Sequence, residues 1–138
     1  MRILLGVTLI LLFAILFAGK ADASDLSFKW WKHRDIIKAL NLSDRQINQI
    51  DQVFNRNKGE IISLNNRLKR RESELNRMIN SPNTPEDQIF KASKNVESIR
   101  GDLRQVRFNM RIKIRSVLTP KQRKKLLEIR SKYNTGHF

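Results

Sequence analysis

Two runs of apolar residues, each stepping alternately by three and four, constrain this chain more than any other feature. The first is Ile47, Ile50, Phe54, Asn57, Ile61, Leu64, Leu68, Arg71, Leu75 and Met78, with eight of ten positions apolar. The second is Ile89, Ala92, Val96, Ile99, Leu103, Val106 and Met110, followed after a one-position shift by Ile114 and Val117. A three-four alternation lays its residues along one stripe of an α-helix and does not match the two-residue period of a strand. Ser81-Pro82-Asn83-Thr84-Pro85 is the one clear turn between the runs. Two helices of about 35 residues reach about 50 Å at ~1.5 Å per residue, whereas a compact domain of this size has a radius of gyration near 13 Å. The reading is therefore all-α: an elongated antiparallel hairpin of long helices with short end helices. A single pair of helices has a thin seam and buries little area, which predicts a homodimer that completes the core.

The helix ends carry their own signals. Ser43 stands three residues before Gln46, the spacing of a capping box, in which each side chain serves a backbone N–H at the other's end. Thr119 and Gln122 repeat the arrangement around Pro120. Thr84 is expected to cap the second long helix, with Pro85 at its first position and Glu86 and Asp87 favouring the positive helix start. Trp30 to Leu40 reads as a first short helix, and a last one carries Leu126, Leu127, Ile129 and Tyr133. The helical domain then spans 30–133, after a flexible lead-in at 24–29 and before a frayed tail at 134–138.

The chain opens with Met1-Arg2, sixteen uncharged residues from Ile3 to Ala18, Lys20, and Ala21-Asp22-Ala23. This is the pattern of a cleavable signal peptide over 1–23. Sixteen residues span roughly 24 Å of helix, short of the ~30 Å hydrocarbon core. Export changes how the charge is read. There are 28 basic and 13 acidic residues in all. Removing 1–23 leaves 26 and 12, a net of +14 over 115 residues. Such a charge in the cytosol would point to nucleic acid. Outside it, acidic proteins, anionic lipid and envelope polymers are the partners expected, and nucleic acid is not. Cysteine is absent, which removes disulfides and thiol chemistry. His33 and His137 are too few and too separated for a metal site or a triad. Glu72 and Glu74 face different sides of their helix. No catalytic residue, metal ligand or cofactor is therefore assigned, and the chain is read as a non-enzyme.

Leu42-Ser43-Asp44-Arg45-Gln46 and Leu118-Thr119-Pro120-Lys121-Gln122 both read L-[ST]-x-x-Q, seventy-six residues apart. An exported, basic, all-helical chain with two such motifs resembles the periplasmic LTxxQ superfamily. That group includes the Spy and CpxP stress chaperones, the zinc-resistance-associated protein and CnrX-like heavy-metal sensors. The Trp30-Trp31 pair is similar to the branch of periplasmic heavy-metal sensors. The resemblance implies a bowl-shaped helical dimer. In Spy-like members its concave face binds unfolding clients. In CpxP-like members it is linked to restraint of a membrane sensor kinase, and CnrX-like members bind metal through His, Met and carboxylate groups. Within the motifs, Leu42, Ser43, Gln46, Leu118, Thr119 and Gln122 are read as structural caps.

Twelve basic and two acidic residues lie between Ile99 and Phe138. Arg100, Arg104, Arg107, Arg111 and Arg115 step along one side of the second long helix, and Phe108 and Ile112 lie off its seam in the same stretch. Arginine attracts acidic segments over distance, and exposed apolar groups contact exposed apolar patches. These seven residues are the expected client- or partner-binding face. The function expected is ATP-independent, chaperone-like binding of unfolded or stress-exposed envelope proteins. The alternative is a heavy-metal sensor or a regulator of an envelope-stress sensor kinase. Phe28, Trp30 and Trp31 with Lys29, Lys32 and Arg34 also form an aromatic-basic patch of the kind that makes weak contact with a membrane surface. Alternatively, the tryptophans cover an open end of the hairpin.

Overall fold

The structure, a computed structural model, describes residues 29–134. The expected signal peptide at 1–23, the lead-in through residue 28, and the tail from residue 135 with His137 lie outside the described residues. Within them the chain is all-α, with no strand. A 3-10 turn at Trp30–Lys32 precedes α1 (Arg34–Leu40), α2 (Asp44–Ile79), α3 (Glu86–Val117) and α4 (Pro120–Asn134). The long helices α2 and α3 pack against each other along their length. Their register is antiparallel: Asn65 meets Arg107, and Glu72, one heptad later on α2, meets Arg100, one heptad earlier on α3.

The heptad stripes form the contact. The buried residues of α2 are Ile50, Phe54, Ile61 and Leu64, and those of α3 are Val96, Ile99, Leu103, Met110 and Ile114. All nine are seam positions. The two polar seam residues are accommodated differently. Half-buried Asn57 donates from Nδ2 to the Val53 carbonyl at 2.7 Å, so its amide does not enter the core unpaired. Arg71 points to water and pairs with Glu74 at 2.7 Å.

Packing thins along the pair. Around the Ser43 and Thr119 ends the cluster contains Trp30, Trp31, Leu40, Leu42, Phe54, Leu118 and Leu126, all buried. Towards the 80–85 turn, Leu68, Leu75, Met78, Ile89 and Ala92 are only half-buried. Ile79 and Phe90, flanking that turn, are 56% and 67% exposed.

Two local expectations need correction. Trp30 to Leu40 is not one helix, because His33 is extended (ψ 121°) between the 3-10 turn and α1. Adjacent residues of an α-helix diverge by about 100°, so a continuous helix would bury only one indole. The break lets both Trp30 and Trp31 enter the core. Thr84 is also not the cap of α3. Pro85 is the N-cap (φ −62°, ψ 139°), and its carbonyl accepts from the Gln88 and Ile89 N–H groups at 3.1 and 3.3 Å. The Thr84 N–H bends back towards the Ser81 carbonyl at 3.4 Å, and a residue ahead of proline is held extended.

Asn41 makes the sharpest reversal. It adopts the left-handed conformation (φ 49°) that ends α1. The Leu42 N–H donates to the Ile37 carbonyl at 3.0 Å and the Asn41 N–H to the Lys38 carbonyl at 3.1 Å. This is the paired bonding of a Schellman end, and asparagine tolerates it better than most residues. It buries Leu42 and delivers Ser43 directly to the start of α2.

Candidate functional site

The two L-[ST]-x-x-Q segments meet. At the first, the Gln46 N–H donates to Ser43 Oγ at 3.2 Å, and the Ser43 N–H donates to Gln46 Oε1 at 3.1 Å. At the second, the Gln122 N–H donates to Thr119 Oγ1 at 3.2 Å, and the Thr119 N–H to Gln122 Oε1 at 2.9 Å. Each glutamine then reaches across to the other. Gln46 Nε2 donates to Gln122 Oε1 at 2.8 Å, and Gln122 Nε2 donates to Gln46 Oε1 at 3.1 Å. The remaining donors take up carbonyls at helix C-termini. Gln46 Nε2 reaches the Val117 carbonyl at the end of α3 at 3.0 Å, and Gln122 Nε2 reaches the Leu40 carbonyl at the end of α1 at 3.1 Å. Every donor and acceptor of both amides is used. The result is a reciprocal clasp that ties α1, α2, α3 and α4 at one end. Leu42 and Leu118, one residue before each cap, are buried beneath it.

The arginine stripe of α3 divides into two parts. Arg100 donates to Glu72 at 2.6 Å and to Glu97 at 2.5 Å. Its hydrogen bonds, first to Glu72 and then to Glu97, raise the guanidinium above its ordinary value despite some desolvation, so its charge is both permanent and locally matched. Arg107 leans onto α2, donating from Nη2 to Asn65 Oδ1 at 3.3 Å. Arg104, Arg111 and Arg115 are exposed and form no ion pair among the described residues. Phe108 and Ile112 are 53% and 47% exposed. Both lie about half a helical turn from the buried seam, on the side of α3 turned away from α2. The available face is therefore Arg104, Phe108, Arg111, Ile112 and Arg115, and the structure separates Arg100 and Arg107 from it.

The tryptophan pair is an internal anchor. Trp30 and Trp31 are 7% and 2% exposed, so neither indole is presented to a membrane surface. They meet edge-on at 5.7 Å, and Trp31 packs on Phe54 at 5.3 Å between ring centroids. Lys29 Nζ sits 4.6 Å from the centre of the Phe54 ring. Trp31 Nε1 donates to Asp51 Oδ1 at 2.7 Å, while Lys32 pairs with Asp51 Oδ2. Burial pushes the Asp51 carboxyl up. The hydrogen bonds from Lys32 and Trp31, with the charges of Lys32 and Lys29, outweigh it and hold the carboxyl below its ordinary value. Met110 is buried in the core and Met78 is half-buried. Among the described residues no three His, Asp or Glu side chains cluster in a way that could hold a metal ion.

A family model described as LTXXQ motif family protein matches residues 29–130, which takes in both motifs and the helices between them. The chain belongs to the LTXXQ motif family. Comparison with curated proteins and with solved structures gave no match. In this LTXXQ protein the signature divides the work among its positions. The leucine is buried, the hydroxyl residue caps a helix, and the glutamine both closes its own box and clasps the other motif. Asn65 and Asp51 escaped sequence reasoning, which sets Glu72 only beside Glu74, without its partner Arg100. Nothing in the LTXXQ spacing identifies them, because each acquires its role only through the register of one helix against another.

Proposed function

We propose that this LTXXQ protein is a periplasmic, non-enzymatic, ATP-independent chaperone-like protein that binds unfolded or stress-exposed envelope proteins. Members of the LTXXQ family are periplasmic, and the sequence of residues 1–23 has the form of an export signal. The observation that carries the reading is the outer face of α3: three arginines that form no ion pair among the described residues, interleaved with exposed Phe108 and Ile112. Unfolding proteins expose apolar side chains next to acidic ones, and this face offers a contact for each. Exposed contacts of this kind are individually weak, so a client can leave without an energy source.

The test is suppression of client aggregation without ATP. Replacing Arg104, Arg111 and Arg115 together with glutamate is expected to raise the amount of protein needed for half-suppression about tenfold, equivalent to ~1.4 kcal/mol of binding. Its circular dichroism should stay unchanged, because none of the three supports the fold. Suppression equal to that of the wild type would remove this face as the client site.

The same reading includes a cradle-shaped homodimer. It is supported by the thin packing near the 80–85 turn and by exposed Ile79 and Phe90 beside it. Analytical ultracentrifugation at low micromolar concentration should give the mass of two chains. A well-folded monomer at that concentration would overturn the dimer.

A further inference from the structure

A second surface lies on the other side of the clasp. A cleft of about 650 Å³ opens between the C-terminal end of α1 and the first two turns of α4. Ala39 supplies apolar lining above the nearly fully buried Leu40, Gln122 of the clasp forms part of the wall, and Lys121, Lys124 and Lys125 surround it together with one acidic residue, Glu128. Lys125 has a partner in Glu128 at 3.4 Å, and Lys121 and Lys124 form no ion pair among the described residues.

The lysines are placed against local electrostatics. The first turn of α4 contains no acidic residue, although the N-terminal end of a helix favours negative charge. Lys121 repels Lys124 at i+3 and Lys125 at i+4 across the same helix face. The backbone N–H groups of Thr119 and Gln122 are already satisfied within the capping box, so the cleft has cationic side chains to offer rather than bare helix-end donors. An empty cleft leaves this repulsion standing, whereas an anionic occupant would relieve it.

We propose that this cleft is a separate binding site for an acidic peptide segment carrying an apolar side chain. The apolar side chain sits against Ala39, and the flanking carboxylates meet Lys121 and Lys124, while Lys125 keeps Glu128. Such an occupant touches Gln122, so its binding registers at the clasp. The proposal does not depend on the outer face of α3 being the client site.

The test is an NMR titration of the 15N-labelled protein with an acetylated Glu-Leu-Glu-Glu peptide, with Glu-Gly-Glu-Glu and inorganic phosphate as comparison probes. The Leu-containing peptide is expected to shift the side-chain amide signals of Gln122 and Gln46 and the backbone signals of 119–128, at least about threefold more tightly than either comparison probe. Lys121→Glu with Lys124→Glu should weaken it at least about tenfold. The same double substitution should raise the Tm of the free protein by about 2–6 °C, because it supplies the negative charge that the α4 start lacks. A merely structural role for these lysines would lower the Tm instead. The Arg104, Arg111 and Arg115 triple glutamate variant should bind the peptide within about threefold of wild type. Shifts centred on 100–115 and abolished by that triple variant would overturn the proposal. Equal binding of all three probes would also overturn it, since that outcome describes a general cationic surface.

Discussion

Replacing Gln122 with glutamate is expected to destabilise the protein by about 2–4 kcal/mol, although the side chain keeps its size and shape. The substitution removes Nε2, and with it the donors to Gln46 Oε1 and to the Leu40 carbonyl. It also puts a carboxylate where the Gln46 amide oxygen already points. The Leu40 carbonyl left without a partner costs ~1–3 kcal/mol, and Gln46 Oε1, which keeps the Ser43 N–H, then faces another acceptor instead of a donor. Gln46→Glu should cost a similar amount, because its Nε2 serves Gln122 and Val117 in the same way. Ser43→Ala, which removes one cap and leaves the clasp, should cost only about 1 kcal/mol. Urea titration followed by tryptophan fluorescence measures all three. The double substitution Gln46→Glu with Gln122→Glu should cost more than the sum of the two, because two carboxylates then face each other. Its stability should partly recover below about pH 4.5, where a protonated glutamate donates again. If Gln122→Glu unfolds within about 0.5 kcal/mol of wild type, the motifs act only as separate caps and the clasp contributes nothing.

The second large effect belongs to Phe54. Truncating a buried aromatic side chain to alanine typically costs ~3–5 kcal/mol, and Phe54 is 1% exposed. The contact with Trp31 and the ammonium of Lys29 near the ring add to the transfer cost. Against a typical stability of ~5–15 kcal/mol, Phe54→Ala should remove about a fifth or more of what holds the protein folded. The denaturation midpoint is the readout, and a loss below about 1 kcal/mol would mean that the anchor is not part of the core. The anchor also has a pH dependence. The folded-state Asp51 carboxyl lies below its unfolded value of ~3.9. Its contribution is therefore complete above about pH 4 and is lost as pH falls through the folded-state value. The Tm difference between wild type and Asp51→Asn should be constant from pH 7 to 5 and shrink below about pH 4.

The long helices were legible because a seam of nineteen positions needs only a periodicity, and that periodicity survives Asn57 and Arg71. Both capping boxes were legible because a capping box is local, with its partners three residues apart. Other features depend on contacts between elements distant in sequence. The reciprocal bonding of Gln46 and Gln122 requires that the two helix starts come to the same place. The division of the arginine stripe requires knowing that Glu72 and Asn65 stand opposite Arg100 and Arg107, which is a matter of register. The burial of both tryptophans required a 3-10 turn that helical periodicity does not foresee, and this is why the pair read equally well as a membrane patch. At Thr84 and Pro85 the residue types suited a cap and a first helical position, but the backbone set the boundary one residue later.

The gradient in packing along α2 and α3 sets how the molecule deforms. Phe54, Ile50 and Ile61 are interlocked near the clasp, whereas Met78 and Ile89 near the turn are only partly enclosed. Opening the pair by a given angle therefore breaks few contacts if it starts at the turn and many if it starts at the clasp. Mechanically the protein is a pair of tweezers, stiff at the bridge and compliant at the tips. The spacing near Ile79 and Phe90 can adjust to what lies against it while the clasped end keeps its shape.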